Sequence, residues 1–428
     1  MLRLGRVRAF RADPFLGAPE RSAVYEARGG VLVEGGRISA VGEGAALRRA
    51  HPQAEVEDLG EALILPGFVD CHAHYPQTAI IASWGRRLID WLNGYTFPEE
   101  MRFADAAYAR ARAELYLDLC LANGITTACV YATVHPQSAE AVFAAAEARG
   151  LRLIASKVMM DRNAPEGLRD DPERGAEESA ALISRWHGRG RLSYAITPRF
   201  APTSSEAQLA AAGALRAAHP ECLVQTHLSE QPEEIAWVRE LFARDADYLA
   251  VYERHGLAGA GAVMGHCIHL EPRERAALGA SGASVAHCPT SNTFIGSGLC
   301  DVRGLREAGA KVGLATDVGG GSSFSMLRTM GAAYEVSQLH GAPLHPAELL
   351  WLASEGSARA LGLSGVVGTL AAGAEADLIA LDLRATPVLA QRASRAESVW
   401  EELFAAMMLG DDRCVSGVWV DGRRILGG

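Results

Sequence analysis

Leu65-Pro66-Gly67-Phe68-Val69-Asp70-Cys71-His72-Ala73-His74-Tyr75-Pro76-Gln77 decides how the rest of the chain is read. Residues 63–69 have the apolar texture of a buried strand, and two histidines one residue apart follow. In an extended strand, residues i and i+2 project to the same face. His72 and His74 can therefore reach one point in space, as two metal ligands must. Taken alone, such a pair is more often pocket lining or a satisfied core pair. The other strand ends have to decide.

The 428 residues suit one large barrel with a smaller domain attached. An apolar content of 49% with 21% charged residues is that of an ordinary globular enzyme. The net charge of −10 argues against a basic surface for nucleic acid. There is no run of about 18 apolar residues, so no membrane span is expected. The start, Met1-Leu2-Arg3-Leu4-Gly5-Arg6, lacks the apolar core of a signal peptide. Eight scattered cysteines without CxxC spacing read as buried, reduced thiols of a cytoplasmic protein.

Both ends of the chain are β-rich. Residues 31–41 read as a hairpin turning at Gly35-Gly36, and residues 415–426 as a second one around Asp421-Gly422. A further strand is expected at 376–382. These ends, 1–64 plus 368–428, are assigned to one small β-sandwich domain. The middle, 65–367, alternates strands with helices. After the His72 strand come strands at 124–131, 151–159, 192–200, 222–228, 263–270, 284–288 and 311–317. Eight strand-then-helix units of this kind predict a (β/α)8 TIM-type barrel.

In such a barrel, chemistry collects at the C-terminal ends of the strands. Those ends carry His72 and His74 (first), Arg199-Phe200 (fourth), His227 with Glu230 (fifth), His266 (sixth) and Asp317 (eighth). Neutral imidazoles with a carboxylate suit zinc, with iron or manganese as alternatives. His72, His74, His227 and Asp317 are assigned as ligands. A catalytic metal lowers the pKa of bound water to around 7. Asp317 could then accept a proton from that water, although it could also be only a helix cap before Gly319-Gly320-Gly321. His266 could complete the shell or hydrogen-bond the developing oxyanion, and the second role is preferred. Glu230, close to the metal but outside its shell, suits a general acid/base. Glu233 and Glu234 read as a solvated pair on the next helix.

These residues and their surroundings resemble the amidohydrolase superfamily and, within it, the guanine deaminases. The resemblance rests on the stretch 67–77 and on Tyr95-Thr96-Phe97-Pro98-Glu99-Glu100. It continues through Thr197-Pro198-Arg199-Phe200-Ala201-Pro202-Thr203, Gln225-Thr226-His227-Leu228-Ser229-Glu230, His287-Cys288-Pro289-Thr290-Ser291-Asn292 and residues 314–328. It is strong over roughly 60–330 and generic at the β-rich ends. It implies hydrolysis of guanine to xanthine and ammonia, with one zinc per chain and a homodimer. Barrels that resemble this one and hold two metals use a lysine on strand four. Strand four here ends in Arg199, and Lys157 lies inside strand three, so one metal is expected. By the same resemblance, Gln77, Arg199, Phe200 and Glu230 contact the purine. Trp84, Trp91 and Phe97 are read as pocket walls, with ordinary core packing as the alternative. Another deaminase of the family, a triazine or pterin hydrolase, or a non-enzymatic scaffold are the competing readings.

Overall fold

The computed structural model describes residues 1–85 and 87–427. Its strands fall into two sheets. In chain order they are β1 (Leu2–Phe10), β2 (Ala23–Glu34), β3 (Arg37–Glu43), β4 (Val56–Pro66), β5 (Phe68–His74), β6 (Ile125–Tyr131), β7 (Arg152–Ser156), β8 (Val158–Met159), β9 (Leu192–Pro198), β10 (Leu223–Leu228), β11 (Ala262–His266), β12 (Ser284–His287), β13 (Lys311–Leu314), β14 (Leu378–Leu381), β15 (Val415–Val420) and β16 (Arg423–Leu426).

β5 to β13 form the parallel sheet, in the order β13-β12-β11-β10-β9-β7-β6-β5, with β8 added alongside β9. Helices follow the strands and cover the sheet, giving the expected barrel. Its seam joins the segment after β13 to β5. Asp317 N donates to His72 O, and His74 N donates to Val318 O, both at 2.9 Å. The seam therefore ties the expected carboxylate directly to the expected histidines.

The termini build the second sheet, β16-β15-β14-β4-β1-β2-β3. It is a single hydrogen-bonded sheet rather than two stacked ones. It curls until β3 meets the residues before β14, where Ile38 N donates to Ala374 O and Ala376 N to Gly36 O. Val7, Val31, Ile38, Ile64, Leu378 and Trp419 fill the space enclosed. Both expected hairpins are present, β2–β3 and β15–β16. The C-terminal segment also carries helices Pro387–Ala393 and Val399–Leu409, which the sequence reading did not separate from the strands. Val399–Leu409 packs on the barrel helix Met326–Leu339.

Residues 63–69 are not one strand. Leu63 to Pro66 belong to β4 and pair with β14 in the terminal sheet. The barrel strand starts at Phe68. The chain changes sheets at Gly67. A side chain at Gly67 would place its Cβ 2.1 Å from Thr126 Oγ1. Only glycine lets the chain pass this close to β6 as it changes sheets. The apolar run looked continuous because both sheets bury it completely, and burial on both faces erases the period-2 signal.

β5 pairs with β6 through a register shift between Asp70 and Ala73. A bulge of this kind resets the in-out alternation. Val69 and Cys71 join the apolar floor of the barrel with Cys129, Ile154, Ala195 and Cys288, and His72 and His74 still face the interior above it. All eight cysteines are buried and unpaired. Among the described residues no helix is long and apolar enough to cross a membrane.

Candidate active site

Three imidazoles converge above the barrel floor. His74 Nε2 lies 3.2 Å from both His72 Nε2 and His227 Nε2. Asp317 Oδ1 lies 3.5 Å from His72 Nε2 and from His74 Nε2. Two neutral ring nitrogens at that distance gain little from each other, since their lone pairs point at one spot. A cation at that spot makes sense of them. Ligand bonds of about 2.1 Å in a tetrahedron put donor atoms about 3.4 Å apart, and the observed separations bracket that figure.

The protonation states agree. Burial holds all three histidines below their ordinary pKa, His74 and His227 well below it. They are neutral, as ligands must be. Burial alone would raise Asp317, but hydrogen bonding from His72 and Ser291 and the charge on His266 outweigh it and leave the carboxyl at about 2. His227 Nδ1 donates to Arg199 O at 2.7 Å, which fixes the tautomer with the Nε2 lone pair inward. The Tyr131 ring lies 4.7 Å from the His72 ring and 4.5 Å from that of His74. It braces both rings, a role not read from sequence. Cys288 was also missed. Its sulfur falls within 4.8 Å of donor atoms of His72, His266 and Asp317. Burial pushes that thiol well up, so it stays protonated.

His266 stands slightly apart, with Nε2 3.4 Å from Glu230 Oε2 and 3.9 Å from Asp317 Oδ2. Its Nδ1 donates to Asn292 Oδ1 at 2.9 Å. Burial lowers its pKa, but the charges of Glu230 and Asp317 more than compensate, and the net shift is upward. His266 and Asp317 both hold positive φ, 67° and 48°. Left-handed backbone is uncommon for residues with a side chain and gathers at functional sites. Here it turns both side chains inward just where their strands end.

Glu230 is buried and its pKa is raised by burial. Ser297 Oγ donates to its Oε1 at 2.8 Å. Glu234, expected in solvent, is instead 1% exposed. It accepts hydrogen bonds from Glu230 N, Gln231 N and Tyr248 Oη. Burial and the neighbouring Glu230 push it up to about 7. Glu233 is on the surface, paired with Arg87. The two glutamates are adjacent in sequence but lie on opposite sides of one helix turn, and only the inner one supports the Glu230 loop.

Above the imidazoles lies a small pocket. Gln77, Arg199, Phe200 and Glu230 line it, together with Leu88, Trp91 and Ile295. Trp84 does not belong there. It is 76% exposed and lies between the Tyr75–Ile80 turn and helix Leu88–Trp91. Phe97 packs beneath the Arg199 guanidinium instead of lining the cavity. Lys157 is buried but forms an ion pair with Asp170, so it is engaged by a different partner. The residue most clearly missed is Glu100, 1% exposed, which accepts from both Gln77 and Arg199.

A barrel carrying this donor set at its strand ends defines a metal-dependent hydrolase. The amidohydrolase family model matches residues 63–425. The chain belongs to the amidohydrolase family, and within it to the guanine deaminases. The guanine deaminase of Escherichia coli (strain K12) is 44% identical over 396 residues, covering 92% of this chain and 90% of that protein. The E. coli guanine deaminase structure superposes with a TM-score of 0.97 at 42% identity, covering 100% of this chain and 99% of that one. The guanine deaminase of C. acetobutylicum, with guanine bound in its active site, gives a TM-score of 0.91 at 26% identity, with 99% coverage of each chain.

Proposed function

We propose that the chain hydrolyses guanine to xanthine and ammonia, with one zinc ion per chain. The observation that carries this is the convergence of His72, His74, His227 and Asp317 beneath a small cavity walled by Gln77 and Arg199. Those four residues would hold the ion. When bound, it supplies a hydroxide nucleophile near neutral pH and polarises the bond under attack.

The chain's own groups do the rest. The Arg199 guanidinium can donate to the ring carbonyl, and Phe200 gives the purine an apolar wall. Glu230 carries a proton at Oε2 and delivers it to the ring nitrogen beside C2, which makes C2 electrophilic. Ser297 fixes the other oxygen, so the proton sits on the side facing the cavity. Asp317 takes the proton released when water adds to C2. His266, positioned by Asn292, hydrogen-bonds the developing oxyanion. A second proton transfer to the exocyclic amine lets the C2–N bond break. One water is consumed and one ammonia released, and the proton on the ring nitrogen remains as an N–H of xanthine. A homodimer working in the cytoplasm completes the reading, and it is supported by the family resemblance.

Purified protein supplied with guanine, cytosine and adenosine tests the proposal. Xanthine and ammonia should appear in equal amounts from guanine. Strong turnover of another base with none of guanine would overturn the substrate while keeping the reaction class.

A further inference from the structure

Glu100 sits on the short helix Phe97–Met101 and faces two cavity residues that come from different strand ends. Its Oε1 accepts from Gln77 Nε2 at 2.9 Å and from Arg199 Nη1 at 3.0 Å. Its Oε2 accepts from the same Nη1 at 2.7 Å. All three residues are at least 97% buried, with exposures of 1%, 1% and 3% for Gln77, Glu100 and Arg199. A buried carboxylate of this kind is strongly directive, because when ionised it only accepts. The Gln77 amide can meet it only with its NH2 end. The carbonyl end, Oε1, is then turned away, and it has no hydrogen-bond partner among the described residues. Gly319 packs against the same amide so closely that a Cβ there would lie 2.1 Å from Oε1. Arg199 commits only Nη1 to Glu100, and its remaining N–H donors have no hydrogen-bond partner among the described residues.

We infer that Glu100 is a positioning residue that fixes the hydrogen-bond pattern of the pocket wall: an acceptor from Gln77 beside donors from Arg199. That pattern selects a ring with a carbonyl beside an N–H, and it disfavours the reverse arrangement of an amine beside an unprotonated ring nitrogen. The inference rests on the purine reading above for its ligand class, and on the buried triad for its polarity. Without a carboxylate at position 100, the Gln77 amide loses its reason to face one way, and the Arg199 charge loses its partner.

The test compares two simple purines as competitive inhibitors or by direct calorimetric binding. Hypoxanthine carries the carbonyl and N–H, and adenine carries the reverse pair. The wild-type protein should prefer hypoxanthine by at least about tenfold, the scale of one mispaired buried hydrogen bond. Glu100→Gln should shrink that ratio severalfold, because the amide of Gln77 can now flip. With guanine it should raise KM by about tenfold or more while kcat moves much less. A merely structural loss would weaken both purines equally and lower kcat together with metal content. A double-mutant cycle adds a second readout. Gln77→Glu alone places two carboxylates together. Combined with Glu100→Gln it restores a donor facing an acceptor, and an acceptor still faces the cavity. The double variant should recover about tenfold in kcat/KM over the product of the single effects. An unchanged purine ratio, or single effects that simply multiply, would overturn the inference. Should Glu100→Gln fail to fold, Glu100→Asp retains the carboxylate and must retain the hypoxanthine preference. Absence of guanine turnover in the wild type would remove the proposed reaction, and the hypoxanthine-to-adenine ratio would still decide the role of Glu100.

Discussion

Ser297 Oγ donates to Glu230 Oε1 at 2.8 Å, which leaves Glu230 Oε2 facing His266 Nε2 at 3.4 Å. The hydroxyl thus holds the carboxyl in one rotamer, with its second oxygen aimed at the reaction space. Glu230→Gln should keep the metal and lose about 10²–10⁴-fold in kcat, the usual weight of a positioned acid/base. Ser297→Ala should lose about tenfold, since it frees a rotamer and removes no proton carrier. Metal analysis with steady-state kinetics on the same preparations checks both. Near-normal turnover in metal-loaded Glu230→Gln would sink the proton-transfer role.

Asp317 brings its carboxylate to the convergence point, and its backbone is pinned to His72 across the barrel seam. Asp317→Ala should drop metal content well below stoichiometric. It should also lower the melting temperature, because an ion bound only by the folded state stabilises it by mass action. Chelation of the wild type should have the same effect on melting, and added zinc should reverse it. A variant that retains full metal content would remove Asp317 from the ligand set.

Much of this site was legible because barrel geometry gives strand ends a meaning. His72, His74, His227, His266 and Asp317 could be gathered from residues far apart in sequence without knowing a single distance. What stayed hidden depended on which way a loop side chain turns. Glu234 and Glu233 look alike in sequence, yet one caps the Glu230 loop from inside and the other pairs with Arg87 outside. Trp84 and Trp91 lie in the same segment, and only Trp91 reaches the cavity. Glu100 stood within a recognised motif, but its task requires Gln77 and Arg199 to converge on it. The junction at Gly67 was obscured for a different reason, since the run from Leu63 to Val69 is buried on both sides of the sheet change.

Gly319 has φ 119°, and a Cβ there would lie 2.1 Å from Gln77 Oε1 and 2.3 Å from its Cβ. Gly319→Ala combines an unfavourable backbone angle with displacement of the Gln77 amide. Destabilisation of about 1–3 kcal/mol is expected, together with a raised KM for guanine and a smaller change in kcat. Urea unfolding measures the first and initial rates the second. An alanine variant with unchanged KM would mean that Gln77 does not touch the substrate.

His287 closes β12, fully buried, and neither ring nitrogen has a hydrogen-bond partner among the described residues. Burial, assisted by the nearby His266, lowers its pKa to about 3 from an ordinary 6.5. The unfolded chain therefore binds a proton in this interval that the folded chain refuses. Unfolding free energy must rise with pH between those two values and fall as the solution is acidified below 6.5. One such group contributes up to about 1.4 kcal/mol per pH unit, hence roughly 2 kcal/mol between pH 7 and pH 5. His287→Leu should remove that part of the slope. Urea titrations of metal-loaded wild type and variant at pH 7 and pH 5 measure the difference of differences. Equal losses of stability on acidification in both proteins would show that His287 is protonated, or solvated by a partner, within the fold.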